Sequence, residues 1–484
     1  FTAVVNDGLD VLYLNQPTLT VNALGGSDTI VLRTPAPNNA KWDVDVTVDG
    51  GPPSAGDPGG SDRLVVETPG PDDEAATYTP TAADAGTLDL TSLDSLITMK
   101  QIEELIYDGE ADNDSLRVVG TDGDDAITHT PGIADQAGTF QVNGLLPISY
   151  QNMGSGAALT ADGGDGSDTL ISMGTNANDT FTVLNAAGDV RLNSRLVLST
   201  TGIETLTMEG LLGDDLFDIV PAVPSLVYGQ VNANGGAQAS AAGDQTNLKG
   251  TAAPDSIAVS GQVVSMGGVT VASSGVENIN LNSGGGVPPD LLTYTGVSGV
   301  TEAISLAGSS VKGTGVLSVP GVVNLNFVGT ETFMVNGDPA DGDTLTVVGT
   351  NAVDRFRVNL AAAGTSGDPV LKMLNAAGTL VKLTLLNYTG FNVLNVDALD
   401  GNDVVNVFTA ATGPSRNVFV DGGLPTGKNK GTDILNVYYA GRRPRIVHSA
   451  ATQNPDSGLV TLDYGTAFYG VQYESMEDVN ILKS

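Results

Sequence analysis

Cysteine is absent from this 484-residue sequence, and only two histidines and one tryptophan are present. Without cysteine, disulfides, thiolate zinc sites and iron–sulfur clusters are excluded. The histidines, His129 and His448, stand in unrelated contexts without the spacing of a metal site. No apolar stretch reaches the roughly 18 residues that a membrane-spanning helix needs, so we expect no membrane span.

Recognisable catalytic motifs are also lacking. The sequence has no Gly-x-Ser-x-Gly elbow, no phosphate-binding loop ending in Lys-Ser/Thr and no dinucleotide fingerprint. We therefore expect that the protein is not an enzyme. The alternative is a polysaccharide-acting β-helix enzyme, a lyase or glycosidase with two working carboxylates. The basic cluster at 442–445 (Arg-Arg-Pro-Arg) suits either an acidic sugar or a contact between subunits.

Basic residues are few: 20 Lys and Arg against 56 Asp and Glu give a net charge of −36. Such a surface repels nucleic acid and anionic lipid, and it favours cations as partners. Aromatic residues make up only 5% of the chain while hydrophobic residues make up 40%. This composition predicts thin layers packed from Val, Leu, Ile and Ala.

The 62 glycines punctuate short β-branched segments, such as 204–208 and 403–407, which predict strands. Helical periodicity is nearly absent, and residues 82–105 are the best candidate for a short helical or irregular excursion. The sequence predicts an all-β fold with an elongated repeat body, a β-solenoid or parallel β-helix. A string of β-sandwich domains is the alternative.

Internal repetition supports a repeat fold. The phrase Gly-Thr-x-x-x-Asp occurs four times, with an apolar residue two positions after its Asp and another Asp six residues before its Gly; it begins at Gly120, Gly174, Gly250 and Gly349. The intervals between copies are 54, 76 and 99 residues. We expect the added length in loops or extra strands.

A second phrase, Gly-x-Glu-x-apolar, contains Glu204, Glu277 and Glu331. These glutamates could ligate a metal from a neighbouring turn, or they could pair with backbone or solvent. We do not count them as ligands.

Three regions are predicted: an irregular N-terminal β region (1–100), a β-repeat body (101–349) and a C-terminal β-repeat region (350–484). The first contains two Pro/Gly-rich stretches, 50–60 and 68–83, that we interpret as loops.

Acidic residues cluster at the Gly-rich turns, where carboxylates and backbone carbonyls supply the oxygens that calcium prefers. The predicted metal ligands are Asp28, Asp62, Asp112, Asp114, Asp122, Asp124, Asp125, Asp165, Asp168, Asp179, Asp214, Asp215, Asp341, Asp343, Asp400 and Asp403.

One of these turns, 163–171 (Gly-Gly-Asp-Gly-Ser-Asp-Thr-Leu-Ile), resembles the nonapeptide of haemolysin-type, repeats-in-toxin calcium-binding proteins of bacterial surfaces. Segments 120–128 and 210–218 match all but the second glycine, and the copies are not in tandem. The resemblance implies calcium in a parallel β-roll, with Asp125, Asp168 and Asp215 among the ligands.

Together these features predict a secreted or cell-surface structural protein, a subunit of a surface layer, fibre or adhesin, stabilised by calcium. We expect self-association into a polymer or surface assembly, with extracellular glycans as a second class of partner. The first residue is Phe1, so we expect a processed form or a fragment of a longer chain.

Overall fold

The fold is described from a computed structural model of the chain. The described residues are 2–8, 11–12, 16–33, 44–52, 61–68, 73–183, 187–220, 226–361, 369–412, 415–423, 432–451 and 456–484. All sixteen predicted metal ligands are among them, whereas residues 53–60 of the first predicted loop lie outside them.

These residues form β-strands joined by turns, and no α-helix occurs among them. Accordingly, the described part of the chain contains no helix with the length and apolar character needed to cross a membrane. The prediction of an all-β protein is confirmed.

The chain forms two compact units. The first comprises residues 1–220, 224–245 and 271–276, and the second comprises 221–223, 246–270 and 277–484. The strands in the first unit are β1 Thr2–Val5, β2 Val11–Leu12, β3 Thr18–Asn22, β4 Thr29–Arg33, β5 Asp45–Asp49, β6 Arg63–Glu67, β7 Ala75–Ala82, β8 Ala85–Leu90, β9 Ser95–Lys100, β10 Glu104–Asp108, β11 Ser115–Val119, β12 Ala126–Pro131, β13 Gly138–Val142, β14 Ile148–Gln151, β15 Ala158–Asp162, β16 Thr169–Met173, β17 Thr180–Val183, β18 Val190–Leu192, β19 Leu198–Thr201, β20 Thr205–Glu209, β21 Leu212–Gly213, β22 Leu216–Ile219, β23 Gln230–Asn234 and β24 Ala237–Gln238.

The remaining strands belong to the second unit, except that the division between units falls within β25 and β28. They are β25 Gln245–Lys249, β26 Ser256–Ser260, β27 Val263–Met266, β28 Val269–Ser274, β29 Asn278–Asn282, β30 Leu291–Thr295, β31 Ala303–Gly308, β32 Thr314–Val319, β33 Val323–Val328, β34 Thr332–Asn336, β35 Thr344–Val348, β36 Arg355–Asn359, β37 Leu371–Leu374, β38 Val381–Thr389, β39 Val393–Asp397, β40 Val404–Ala410, β41 Arg416–Asp421, β42 Ile434–Ala440, β43 Arg445–Ala450, β44 Gly458–Asp463, β45 Phe468–Glu474 and β46 Asp478–Lys483.

Parallel pairing between successive coils builds the first unit. One sheet contains the series β4, β6, β10, β14 and the series β12, β16, β20, β23. The other contains β3, β5, β9, then β7, β11, β15, β19, and the pair β17, β22. Because the chain alternates between the two sheets while neighbouring coils pair in parallel, this unit is a β-solenoid.

The second unit follows the same plan. Its first sheet contains β26, β30, β34, β38 and β36, β40, β42, β46. Its second sheet contains β31, β35, β39, β41, β45 and the pair β29, β33. The predicted solenoid is thus confirmed in each unit, and the parallel pairing differs from the antiparallel sheets of the β-sandwich alternative.

Extra strands account for the variable repeat length. Antiparallel three-stranded meanders interrupt the coils at β7–β9, β12–β14, β17–β19, β31–β33, β36–β38 and β43–β45. Each meander lets the chain leave one coil and return to the same sheet.

The core follows from alternation along each strand. In β6, Leu64 and Val66 are fully buried between more exposed neighbours. Stacking of the coils then places similar side chains next to one another, as where Leu170 pairs with Leu206 in register. Burying an apolar side chain of this size contributes about 1.5–3 kcal/mol, so repeated aliphatic rows hold the coils together.

Two local predictions were wrong. Residues 82–105 contain no helix, because β8 and β9 alternate between buried and more exposed side chains with the period of a strand. The stretch 68–83, predicted as a loop, contains β7. The boundaries predicted near residues 100 and 350 each lie inside one of the two units.

Candidate metal centre

Acidic residues that directly precede strands form what we call carboxylate columns: one acid per coil, each side chain accepting the backbone N–H of the acid in the preceding coil. The N···O distances are 2.6–2.8 Å. The columns are Asp28–Asp62–Glu103, Glu74–Asp114, Asp125–Asp168–Glu204 and Asp179–Asp215–Asp244 in the first unit, and Asp255–Asp290, Glu302–Asp343 and Asp354–Asp403–Asp433–Glu477 in the second.

The phrase Gly-Thr-x-x-x-Asp marks the first acid of a column. In all four copies the threonine backbone N–H donates to Oδ2 of the Asp four residues later, at 2.6–2.9 Å. Glycine precedes the threonine because the column leaves no room for a side chain. A Cβ on Gly120 would lie 2.5 Å from Asp125 Oδ2.

Side-chain donors cap the first acids, whose carboxylates accept no N–H from an acid of a preceding coil in these columns. Asn143 Nδ2 donates to Asp125 Oδ1 at 2.5 Å, and Asn193 Nδ2 donates to Asp179 Oδ1 at 2.6 Å. At Asp354 the donor is instead Lys382 Nζ, also at 2.6 Å. Charge-assisted hydrogen bonds of this kind offset part of the cost of burying a carboxylate.

One glutamate of the second phrase, Glu204, occupies a column position. Glu204 Oε2 accepts the N–H of Asp168 at 2.7 Å. Glu103 and Glu477 do the same for Asp62 and Asp433. Of the two interpretations left open for Glu204, pairing with backbone is therefore the observed one.

Burial raises the pKa of several column acids. It raises the pKa of Asp215 and Asp433 to about 6 and that of Asp403 to about 7, while the accepted backbone hydrogen bond lowers it in part. In each of these three side chains Oδ2 is buried without a hydrogen-bond partner in the described structure. Of these three acids, Asp403 is therefore only partly ionised near neutral pH.

A different arrangement occurs where β7 and β11 begin. Glu74 precedes β7 and Asp114 precedes β11, and the two strands pair with Ala75 opposite Ser115. Asp112 lies two residues before Asp114 in the same turn. One carboxylate oxygen from each of the three acids lies within 4.8 Å of the others. Within the described residues, no further group of three potential ligand side chains meets this geometry.

Hydrogen bonds fix one member of this Glu74–Asp112–Asp114 cluster. Asp114 Oδ1 accepts the Glu74 N–H, and its Oδ2 accepts the hydroxyls of Tyr107 and Thr68, both at 2.8 Å. Glu74 is 3% exposed and Asp114 is fully buried. Two of the three members are therefore buried, and hydrogen bonds hold one of them, Asp114, in place.

Asp112 is the exception, because both of its carboxylate oxygens are buried and neither has a hydrogen-bond partner in the described part of the chain. Burial, together with the charge of Asp114 beside it, raises the pKa of Asp112 to about 6. Asp73 adds a further negative charge. The three carboxylates form a set of hard oxygen donors that could hold a metal ion.

The predicted ligands divide into two groups. Nine lie in the columns: Asp28, Asp62, Asp114, Asp125, Asp168, Asp179, Asp215, Asp343 and Asp403. Seven lie in the turns: Asp112, Asp122, Asp124, Asp165, Asp214, Asp341 and Asp400.

Several turn acids already accept backbone hydrogen bonds. Asp124 Oδ1 accepts the Ser167 N–H, Asp341 Oδ2 accepts the Gly299 N–H, and Asp214 Oδ1 accepts two. The structure brings Asp112 and Asp114 together with a residue that sequence reasoning missed, Glu74. Glu74 could have been found because it is an acid directly before a strand, but it lies in the stretch 68–83, which was interpreted as a loop.

The two histidines each contact a tyrosine. His129 Nε2 lies 2.8 Å from the Tyr150 hydroxyl, and burial lowers the pKa of His129 to about 4. His448 Nε2 lies 2.9 Å from the Tyr473 hydroxyl.

No family model matches the chain, and no curated protein matches it.

Proposed function

We propose that this chain is an extracellular structural protein, a subunit of a surface layer, fibre or adhesin, stabilised by calcium at the Glu74–Asp112–Asp114 cluster. The observation that carries the proposal is the Asp112 carboxylate, whose two oxygens are buried beside two other acids without a donor in the described structure. A bound cation would offset the negative charge of the Asp112 carboxylate and coordinate its two oxygens.

Calcium suits this donor set better than other common metals. The cluster offers only carboxylate oxygens, whereas zinc and copper prefer nitrogen and sulfur ligands. Three carboxylates can supply up to about six oxygens, and calcium accepts six to eight in a flexible geometry. Magnesium demands near-ideal octahedral geometry and retains water, which a buried cluster disfavours. The resemblance to haemolysin-type repeats also implies calcium, but at the turns of Asp125, Asp168 and Asp215 and not at this cluster.

A structural role is supported by the way the acids are used. The column acids accept hydrogen bonds from one coil to the next, and Asp124 and Asp214 in the turns accept backbone N–H groups. The net charge of −36 also favours solubility and attracts cations to the surface of the protein.

Calcium titration by calorimetry tests the metal site. We expect wild-type protein to bind calcium more tightly than magnesium at pH 7.5, and Asp112→Asn to weaken calcium binding by at least about tenfold. Asp122→Asn is the matched control, because it removes the same charge from an exposed turn of the same unit. Equal affinity in wild type and Asp112→Asn would contradict the site.

The structural role needs a separate test. We expect antibody or protease to reach the protein on intact source cells, and we expect purified chains to associate into larger particles in calcium, as measured by light scattering. A protein that is protected inside intact cells and stays monomeric at all concentrations would contradict a surface-assembly role, whatever its calcium affinity.

A further inference from the structure

The ion pair between Lys382 and Asp354 lies in the core of the second unit. Lys382 Nζ is 2.6 Å from Asp354 Oδ1, and the two side chains are 6% and 0% exposed. Lys382 belongs to β38, and Asp354 directly precedes β36 in the same meander. Removing two opposite charges from water costs desolvation free energy, which their attraction offsets only when the geometry is excellent.

Lysine is the exception among the column caps. In the meanders β12–β14 and β17–β19 of the first unit, the residue that follows the second strand is Asn143 or Asn193, and its neutral amide caps the first acid. Asn375 occupies the same position after β37, but its Oδ1 instead accepts the N–H groups of Thr379 and Leu380. A primary amine has therefore replaced an amide in contact with the buried carboxylate.

The surroundings of Asp354 favour chemistry at its carboxyl carbon. Thr350 donates to Asp354 Oδ2 from its backbone N–H at 2.7 Å and from its hydroxyl at 2.8 Å. Two donors on one oxygen polarise the carboxyl group and stabilise negative charge that develops there, as an oxyanion hole does. The Lys382 amine contacts the other oxygen, Oδ1, at 2.6 Å. Reacting groups that are held in contact in this way react faster than free groups in solution.

A second acid, Asp403, can carry the proton. Asp403 Oδ1 accepts the Asp354 N–H at 2.6 Å, its Oδ2 is buried without a hydrogen-bond partner in the described structure, and its charge interacts with both Asp354 and Lys382. Because Asp403 is fully buried, it can hold a proton near neutral pH and return it.

We propose that Lys382 and Asp354 condense into an intramolecular amide bond. Proton transfer across their hydrogen bond gives an amine and a carboxylic acid. Nζ then attacks Cγ of Asp354, the C–N bond forms, and the C–Oδ1 bond breaks. Asp403 passes the proton lost by nitrogen to the departing oxygen, which leaves as water. No oxidant, reductant or cofactor is consumed. The bond replaces a buried ion pair by a neutral amide and joins β36 to β38 covalently.

Mass spectrometry of the purified full chain tests the bond. We expect an intact mass lower by one water than the sequence requires. After digestion with trypsin, we expect a peptide ending at Arg355 joined to one that begins at Met373 and is uncut at Lys382. A chain of full sequence mass, with free peptides on both sides, would overturn the proposal.

Two variants separate the amide from other losses of water. Lys382→Arg keeps the positive charge but is a poor nucleophile, and it should restore the full mass. A loss of water that persists in this variant, as from a cyclic imide at an Asp-Gly pair, would overturn the proposal.

Asp403→Asn keeps the acceptor for the Asp354 N–H, and it should leave most chains uncondensed. Complete condensation in Asp403→Asn would overturn the role assigned to Asp403. A circular dichroism spectrum like that of wild type shows that each variant is folded.

Discussion

Asp214 and Asp215 are neighbours in one turn, but their pKa values shift in opposite directions. Substitution of each by asparagine tests the cause of these shifts. Asp215 is 1% exposed; its Oδ1 accepts the Asp179 N–H and its Oδ2 has no partner in the described structure. Burial raises its pKa from 3.8 to about 6. Asp214 lies next to it, and hydrogen bonds from Ser240 lower its pKa. Both substitutions remove one negative charge.

The sign and size follow from linkage. Because the folded pKa of Asp215 exceeds its unfolded value, the folded state binds more protons between pH 4 and 6, and wild-type stability falls as pH rises through that window. One pKa unit corresponds to about 1.4 kcal/mol, so the loss from pH 4.5 to 7.5 is about 2 kcal/mol. Asparagine does not titrate. The stability of Asp215→Asn relative to wild type should therefore rise by about 2 kcal/mol over this range.

Asp214→Asn is the control. The stabilisation by the Asp214 carboxylate is present above its ordinary pKa and is lost only as pH falls below it, so its difference from wild type should stay constant between about pH 4.5 and 7.5. Urea unfolding followed by circular dichroism gives the stabilities, and hydrogen exchange of β22 peptides assigns the transition to the first unit. Parallel pH profiles for wild type and Asp215→Asn would refute the buried column.

Three further predictions follow from the turns and the cluster. Gly163→Ala should lose about 1–3 kcal/mol of stability in urea unfolding, because its Cβ would overlap a carbonyl oxygen of the next coil and the carboxylate of its own column, whereas Gly144→Ala, which faces open space, should change stability little. Equal losses would contradict this packing. Calcium affinity measured by calorimetry should fall as pH falls through about 6, where protons compete for Asp112, and a pH-independent affinity would argue against this ligand. Asn193→Ala should lower the thermal midpoint, because Asp179 Oδ1 loses its capping donor, and an unchanged midpoint would show that the cap is dispensable.

Much of the fold could be predicted from sequence because its determinants are local. Glycine and aspartate turns between short β-branched segments indicate strands, and the phrase Gly-Thr-x-x-x-Asp repeats because each copy starts a column. The stretch 68–83 was misread because proline and glycine dominate its start, whereas β7 within it alternates between buried and half-exposed side chains over most of its length.

The site was harder to predict because it depends on which coils are neighbours. Asp112 and Asp114 stand together in sequence, but Glu74 reaches them only because β7 pairs with β11 across a meander. Acids of one turn also differ in burial. The Asp125 carboxylate accepts a backbone N–H from its own turn, while Asp122, three residues earlier, is exposed. Local spacing does not distinguish these two environments.

The central claim, calcium held at the Glu74–Asp112–Asp114 cluster, is tested most directly by thermal unfolding in calcium, in chelator and in magnesium at matched ionic strength and pH 7.5. The account predicts that calcium alone raises the unfolding midpoint of the first unit, as a ligand that binds only the folded state must. It also predicts that Asp112→Asn removes this shift while Asp122→Asn retains it. The same midpoint in calcium, magnesium and chelator would contradict the account.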